Sequence, residues 1–503
     1  MTAALATTPF GRVRGLTQTV SHHRPAPADV AIFKGIPYAT AERFEKPVAV
    51  NALATGLGAE VDTVFDATTY RALCPQPAGG MERLLGSSRL PASEQCLHLN
   101  VFTPGCDIAR RPVLVWIHGG AFLTGSGATP WYHGASLAAL GDVVVVTINY
   151  RLGSFGFAGR SNHGIADQVA ALEWVREAIG SFGGDPHNVT IFGESAGGAS
   201  VVALLAAPIA RDLFHKAVAM SPSLAQLRST RRADRATGEL VAAAGVQSFD
   251  DLRRCSVDDL LAAQAAVLAD PTRALTAFAP TSHGDLLPGD ILADAAADPR
   301  PLVIGTTRDE MHLFNAFDPA NWALDEPGLL AAYERRFPGR ADVAVSEYRA
   351  LRPDHTTGQL LSAMQTDEML RVPVRRLAEA RVARGNPTWM YWFTWPSPAF
   401  GGILGACHAV DIPFVFHNLH RPGVQAFTGD GEDRIRVADE CAGAVVRLAS
   451  DGGPGWSSYD VDDRTTRCIA AESVTLLDPE PSLRELWAAQ LDPQRRASAT
   501  TSG

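Results

Sequence analysis

The chain has 503 residues, 46% hydrophobic and 19% charged, with 44 Lys and Arg against 54 Asp and Glu for a formal net charge of −10. This composition excludes a disordered, collagenous or coiled-coil protein, and the acidic balance argues against nucleic acid or anionic lipid as a partner. The seven cysteines form no C-x-x-C pair, which leaves a zinc ribbon or a disulfide scaffold without support.

Met1 to Phe10 carry neither a basic stretch nor a sustained apolar core, so no secretory signal is expected. The longest aliphatic run, Val201 to Ala207, is far short of the ~20 residues of a membrane span. A soluble, cytoplasmic protein is expected, with no membrane partner. Strands are predicted at Pro112 to His118, Asp142 to Asn149 and Asn188 to Phe192, near-continuous β-branched runs of the kind buried on both faces of a parallel sheet. Between the second and third, Ile165 to Ile179 has apolar residues at i, i+3, i+4 and i+7, an amphipathic helix that completes a βαβ unit. A further helix starts at Ala196. Arg228 to Ala279 reads as helical, as do Leu329 to Phe337 and Val374 to Ala383, with strands at Leu302 to Gly305 and Thr388 to Thr394. The fold class is α/β with a mostly parallel sheet. No Pro/Ser-rich linker breaks residues 30 to 485, so one unit is expected over residues 8–490, followed by a flexible polar tail over 491–503. His417 and His420 form an H-x-x-H without further ligands nearby in sequence, so no metal site is expected there. No cofactor is expected.

The chemistry concentrates at Gly193-Glu194-Ser195-Ala196-Gly197, a G-x-S-x-G directly after a predicted strand and directly before a predicted helix. A serine on such a sharp turn is held in a strained backbone conformation with its Oγ exposed, and the flanking glycines let the neighbouring chain pass. A nucleophile attacking an ester also needs donors where the carbonyl oxygen becomes negative. His118-Gly119-Gly120-Ala121-Phe122, at the end of an earlier strand, can aim backbone N–H groups there, and the N–H of Ala196 adds another at the positive end of a helix. Each such donor is typically worth about 3 kcal/mol of barrier. His118 itself reads as a structural hydrogen-bonding residue. Several histidines and many carboxylates remain open as base and acid on this reading alone.

HGGAF, GSFGFAGRSNHGIADQVAALEWV, FGGDPHNVTIFGESAGGASV, GTTRDE and GACHAVDIPFVF together resemble the type-B carboxylesterase and cholinesterase family of α/β-hydrolases. The likeness extends from Gly11 and FKGIPYA through SEQCLHLNVFTP to WSSYDVDDRTT near Thr466, about nine-tenths of the chain. It implies an α/β-hydrolase fold with helical insertions over the active site, and a serine esterase acting on small to medium uncharged esters as monomer or small homo-oligomer. It implies Glu310, rather than Asp309, as the acid and His408 as the base, in the chain order Ser, acid, His of this fold. His408 would take the Oγ proton and return it to the leaving alcohol, Glu310 would hold the imidazole tautomer, and Ser195 would carry the acyl group. The hole would be built from Gly120 and Ala121 with Gly119, plus Ala196.

The same resemblance implies ion pairs Arg43–Glu94 and Arg151–Asp167, a Cys74–Cys96 pair that a reducing cytoplasm would keep as thiols, Ser221 supporting the acid, and Glu194 as a buried carboxylate. Phe122, Phe314 and Trp116, with Glu194, are expected to line an apolar pocket. Gln95, Met311, Ala409 and Asp411 depart from the usual family residues, and Cys255 has no partner for a second disulfide. Carbamate or amide cleavage by the same residues is the alternative. A non-catalytic binding module is disfavoured because Ser195, Glu310 and His408 are all intact.

Overall fold

The computed structural model describes residues 2–21, 27–53, 64–77, 90–270 and 276–491. The strands are β1 (Ala3–Thr8), β2 (Gly11–Val20), β3 (Ala28–Pro37), β4 (His98–Thr103), β5 (Arg111–Ile117), β6 (Val144–Ile148), β7 (Gly184–Glu194), β8 (Lys216–Met220), β9 (Leu302–Thr307), β10 (Thr388–Phe393), β11 (Thr466–Ile469) and β12 (Val474–Leu476). They lie in one sheet in the order β1-β2-β3-β4-β6-β5-β7-β8-β9-β10-β11-β12, and the short strand Phe65–Asp66 adds to β2. Every neighbouring pair from β6 to β11 is parallel, while β1 to β4 and β12 join antiparallel.

The parallel centre follows from its sequence. Every residue of VVVTI in β6 is buried, as a strand covered on both faces requires. In β5, Val113, Val115 and Ile117 face one apolar core and Leu114 and Trp116 the other, the period of two that a pleated strand imposes. The first core holds the helices His163–Ala178 and Ala196–Ala206, and the second holds Glu432–Asp451. β1 and β2 instead tend to alternate exposed and buried residues, as strands with one wet face do.

Between β9 and β10 the chain is helical. Glu326–Arg336, Ala341–Leu351 and Thr357–Thr366 pack through Tyr333, Phe337 and Tyr348 against Trp487 of the last helix, Pro481–Leu491. A π-helical turn, Asp367–Arg371, then leads into the helix Val372–Val382. The expected helical interval 228–279 resolves into Thr230–Ala243 and Val257–Leu268, joined through a 3-10 turn. Of the expected tail, residues 492–503 lie outside the described residues.

Both expected ion pairs form and tie loops to this frame. Arg43 grips Glu94 with two hydrogen bonds, 2.9 and 2.6 Å, and also donates to the carbonyl of Cys255 at 2.6 Å. Arg151 and Asp167 form a buried bidentate pair at 2.8 and 2.7 Å. Cys74 and Cys96 are buried free thiols, and Cys74 Sγ accepts from Leu152 N–H at 3.2 Å.

Candidate active site

The site forms at the carboxyl ends of β5, β7, β8 and β9, where an open α/β sheet presents its crevice. Ser195 follows β7 directly and precedes the helix Ala196–Ala206, with φ 58° and ψ −119°. Such a conformation strains a residue with a Cβ. It is pinned by the Ser195 N–H donating to Met220 O at 2.9 Å and by the Ser195 carbonyl accepting from Ser223 N at 3.1 Å. The two flanking glycines are required by packing. A Cβ on Gly193 would stand 2.6 Å from the Gly197 backbone, and one on Gly197 would collide with the carbonyl of Ile117.

The loop after β5 lies against this turn. A Cβ on Gly119 would come 2.8 Å from Glu194 O and 3.2 Å from Ser195 Cβ. Gly120, Ala121 and Phe122 all have positive φ, of 110°, 55° and 61°. The tight turn is closed by Leu123 and Thr124 N–H donating to Gly120 O. Among the described residues no hydrogen-bond acceptor meets the N–H of Gly120 or Ala121, which leaves both groups free beside Ser195. His118 is fully buried, its Nδ1 2.8 Å from Gly119 O and its ring stacked on Tyr150. Burial pulls its pKa down to about 4, so it stays neutral at ordinary pH.

Glu310, just after β9, is fully buried and uses both carboxylate oxygens. Oε1 accepts from Ser221 Oγ at 2.6 Å and from Thr307 N–H at 2.7 Å, and Oε2 stands 2.5 Å from His408 Nδ1. The loops bearing Glu310 and His408 are joined by two hydrogen bonds: Asp309 N–H donates to Ala406 O at 2.9 Å, and Ala406 N–H to the Asp309 side chain, Oδ2, at 2.8 Å. Asp309 is thus spent on the loop and on Arg308, and makes no hydrogen bond to His408.

The outer nitrogen of His408 departs from the expected arrangement. Nε2 stands 3.0 Å from Glu194 Oε1, an ion-pair distance without hydrogen-bond alignment. Ser195 Oγ meets Ser223 Oγ at 3.2 Å, and no hydrogen bond joins it to His408. Burial opposes a charge on His408, but Glu194 and Glu310 overcome it and raise the imidazole above its ordinary value. Burial likewise raises Glu194.

Ser195, His408 and Glu194 open into a cavity of about 250 Å³ walled largely by apolar side chains, among them Leu123, Met311, Phe314, Met369, Leu370 and Ile412. Phe314 lines it, its ring 5.4 Å from that of His408. Two expectations are corrected. Phe122 is fully buried against Phe157, and Trp116 lies among Tyr132, Phe192 and Phe416, so neither reaches the cavity. The positive φ of Phe122 turns its ring inward. Sequence reasoning also missed Ser223, Met369 and Leu370; the last two sit in the π-helical turn, which no local pattern announces. Asp411 is buried, with Oδ1 unpartnered and Oδ2 3.3 Å from Tyr391 Oη, and burial beside Glu310 pushes it up to about 7. Among the described residues no three His, Cys, Asp or Glu side chains are grouped to hold a metal, and His417 sits 2.8 Å from Asp439. No described helix is long and apolar enough to cross a membrane.

A mostly parallel sheet flanked by helices, with a serine on the turn from strand to helix, defines an α/β-hydrolase. The chain matches the Carboxylesterase family over residues 2–458 and belongs to it. It is 36% identical to the para-nitrobenzyl esterase of Bacillus subtilis, over 96% of this chain and 98% of that one. It is 34% identical to the phenmedipham hydrolase of Pseudarthrobacter oxydans, over 88% of this chain and 92% of that one. A carboxylesterase crystal structure from Geobacillus stearothermophilus superposes with a TM-score of 0.82 at 36% identity, covering 96% and 99% of the two chains. The protein is accordingly an enzyme of carboxylic-ester hydrolysis.

Proposed function

We propose that Ser195 is the nucleophile, His408 the general base and then acid, and Glu310 the carboxylate that fixes the imidazole. The observation that carries this reading is the continuous buried relay from Ser221 through Glu310 to His408, opening into the cavity that also exposes Ser195. With an ester carbonyl above Ser195, neutral His408 Nε2 accepts the Oγ proton as Oγ attacks carbon. The imidazolium is stabilised by Glu310, whose other oxygen is already engaged by Ser221 and Thr307. The oxyanion meets the N–H groups of Gly120, Ala121 and Ala196, with Gly119 shaping the approach. Proton return from His408 releases the alcohol, and water, activated by the same nitrogen, frees the acid from Ser195. The apolar walls favour uncharged esters of small to medium size. Residues 8–490 act as one unit in this reading.

Ser195→Ala is expected to lower turnover of a short-chain aryl ester by about 10⁶-fold. Retained activity would sink the assignment. A panel of esters, carbamates and anilides of graded acyl length ranks the bond classes, and phosphonate labelling followed by peptide mapping identifies the modified serine.

A further inference from the structure

The hydroxyl of Ser223 lines the reaction cavity and stands 3.2 Å from Ser195 Oγ, its only side-chain partner among the described residues. The backbone of Ser223 is fixed at both ends: its N–H donates to Ser195 O at 3.1 Å, and its carbonyl accepts from Gln226 N–H at 3.0 Å. The threonine hydroxyls of the same cavity are spent elsewhere, Thr124 on the carbonyl of Gly120 at 3.3 Å and Thr129 on that of Ser126 at 3.0 Å. Ser223 thus brings a rigidly held hydroxyl to the reacting oxygen and leaves part of its hydrogen-bonding capacity unused.

The direction of that hydrogen bond follows from the chemistry. For Ser195 Oγ to attack, its own proton must be aimed at His408, so the hydrogen between the two serines is that of Ser223. A hydroxyl has one donor and two acceptor lone pairs, so Ser223 then has only acceptor capacity left. Its place in the sheet decides what can use it. β7 lies between β5 and β8, so the Gly120–Ala121 loop after β5 and Ser223 after β8 flank Ser195 on opposite sides. An oxygen received by the N–H groups of Gly120 and Ala121 points away from Ser223, and another substituent of the reacting carbon faces it. Such a substituent lies two bonds from Ser195 Oγ, beside a hydroxyl held 3.2 Å from that atom. In a simple ester these substituents are an ether oxygen and a carbon, and neither can donate. In an N-monosubstituted carbamate one of them is an N–H.

We propose that Ser223 is a specificity-determining residue that accepts a hydrogen bond from the N–H of N-monosubstituted carbamate esters as Ser195 attacks them; this rests on the reading of Ser195 as nucleophile. Ser195 Oγ bonds to the carbamate carbon, the C–O bond to the alcohol breaks, and the Oγ proton passes through His408 to the departing oxygen. Water then frees the carbamic acid, which falls apart to carbon dioxide and amine. The probes are 4-nitrophenyl N-ethylcarbamate and 4-nitrophenyl butanoate, alike in shape with NH in place of CH2. Nitrophenol release in the first turnover gives a second-order rate constant for each, and the carbamate-to-butanoate ratio is compared at one pH in the wild type, Ser223→Ala and Ser223→Thr. The ratio is expected to fall about fivefold in Ser223→Ala, the worth of one net hydrogen bond, and to return to within about twofold of wild type in Ser223→Thr, which keeps the hydroxyl. Peptide mapping locates the carbamoyl group. Its attachment to a residue other than Ser195 would overturn the nucleophile assignment and this inference together. With Ser195 carbamoylated, an unchanged ratio in Ser223→Ala or an equal fall in Ser223→Thr overturns this inference alone, as does a wild-type enzyme that cleaves the butanoate and leaves the carbamate untouched.

Discussion

Nε2 of His408 stands 3.0 Å from Oε1 of Glu194, the residue before the proposed nucleophile Ser195. A carboxylate there stabilises the protonated imidazole, whereas a general base has to be neutral. Activity should therefore rise with pH as His408 loses its proton. Glu194→Gln removes one of the two carboxylates that raise the imidazole, so the rising limb of the kcat/KM profile is expected to move to lower pH. An unchanged limb would show that His408 does not feel Glu194.

Glu310 and Asp309 are adjacent carboxylates with different partners, which makes them separable. Glu310→Gln leaves the imidazole without its anion and should lower kcat by several orders of magnitude; the tautomer-holding acid of a serine protease triad is worth about 10⁴. Asp309→Asn loosens the junction with Ala406 and should act mainly on thermal stability. Steady-state kinetics and melting curves on both variants check this, and the reverse ranking would transfer the role to Asp309.

Asp411 carries a pH dependence of stability. Its folded-state pKa is raised to about 7 by burial and by Glu310, against about 3.9 for a free aspartate. The folded protein thus holds this proton more tightly than the unfolded chain. The resulting stabilisation is complete below the unfolded pKa and is lost as pH climbs to and through the folded one. Every tenfold difference in proton affinity between the two states corresponds to about 1.4 kcal/mol. Asp411→Asn should flatten the fall in thermal midpoint between about pH 4 and pH 7 relative to wild type; parallel curves would argue against the titration.

Phe122 and Phe314 should separate stability from selectivity. Phe122→Ala empties a fully buried site beside Phe157 and is expected to cost about 3–5 kcal/mol. Phe314 is 45% exposed at the cavity. Phe314→Ala should leave the melting temperature nearly unchanged and shift the ratio of kcat/KM between short and bulky aryl esters.

The parallel centre and the serine turn are legible in the sequence for one reason: strands buried on both faces must be written almost wholly in β-branched residues, and the turn between them in glycine. The antiparallel flank is hidden because nothing forces such uniformity there. In β4 the apolar run is broken by Asn100, whose buried amide is satisfied by distant residues, Gly35, Gly127 and Thr147. Phe122 misleads for a related reason. An aromatic beside a glycine loop looks like a pocket wall until three successive positive φ angles direct its ring into the core. Glu310 and His408 are separated by 98 residues, and only likeness to a family, not spacing, selects them from the available acids and histidines.

The cavity walls come from two kinds of segment. Met311 adjoins Glu310 in the chain and donates its N–H to Thr366 Oγ1 at 3.1 Å, so reshaping it disturbs that carboxylate's setting. Met369 and Leu370 project from the π-helical turn between two helices and share no segment with Ser195, Glu310 or His408. Directed evolution for new acyl or alcohol groups has its freest ground there, where a library can vary substrate shape while the proposed reacting atoms keep their positions.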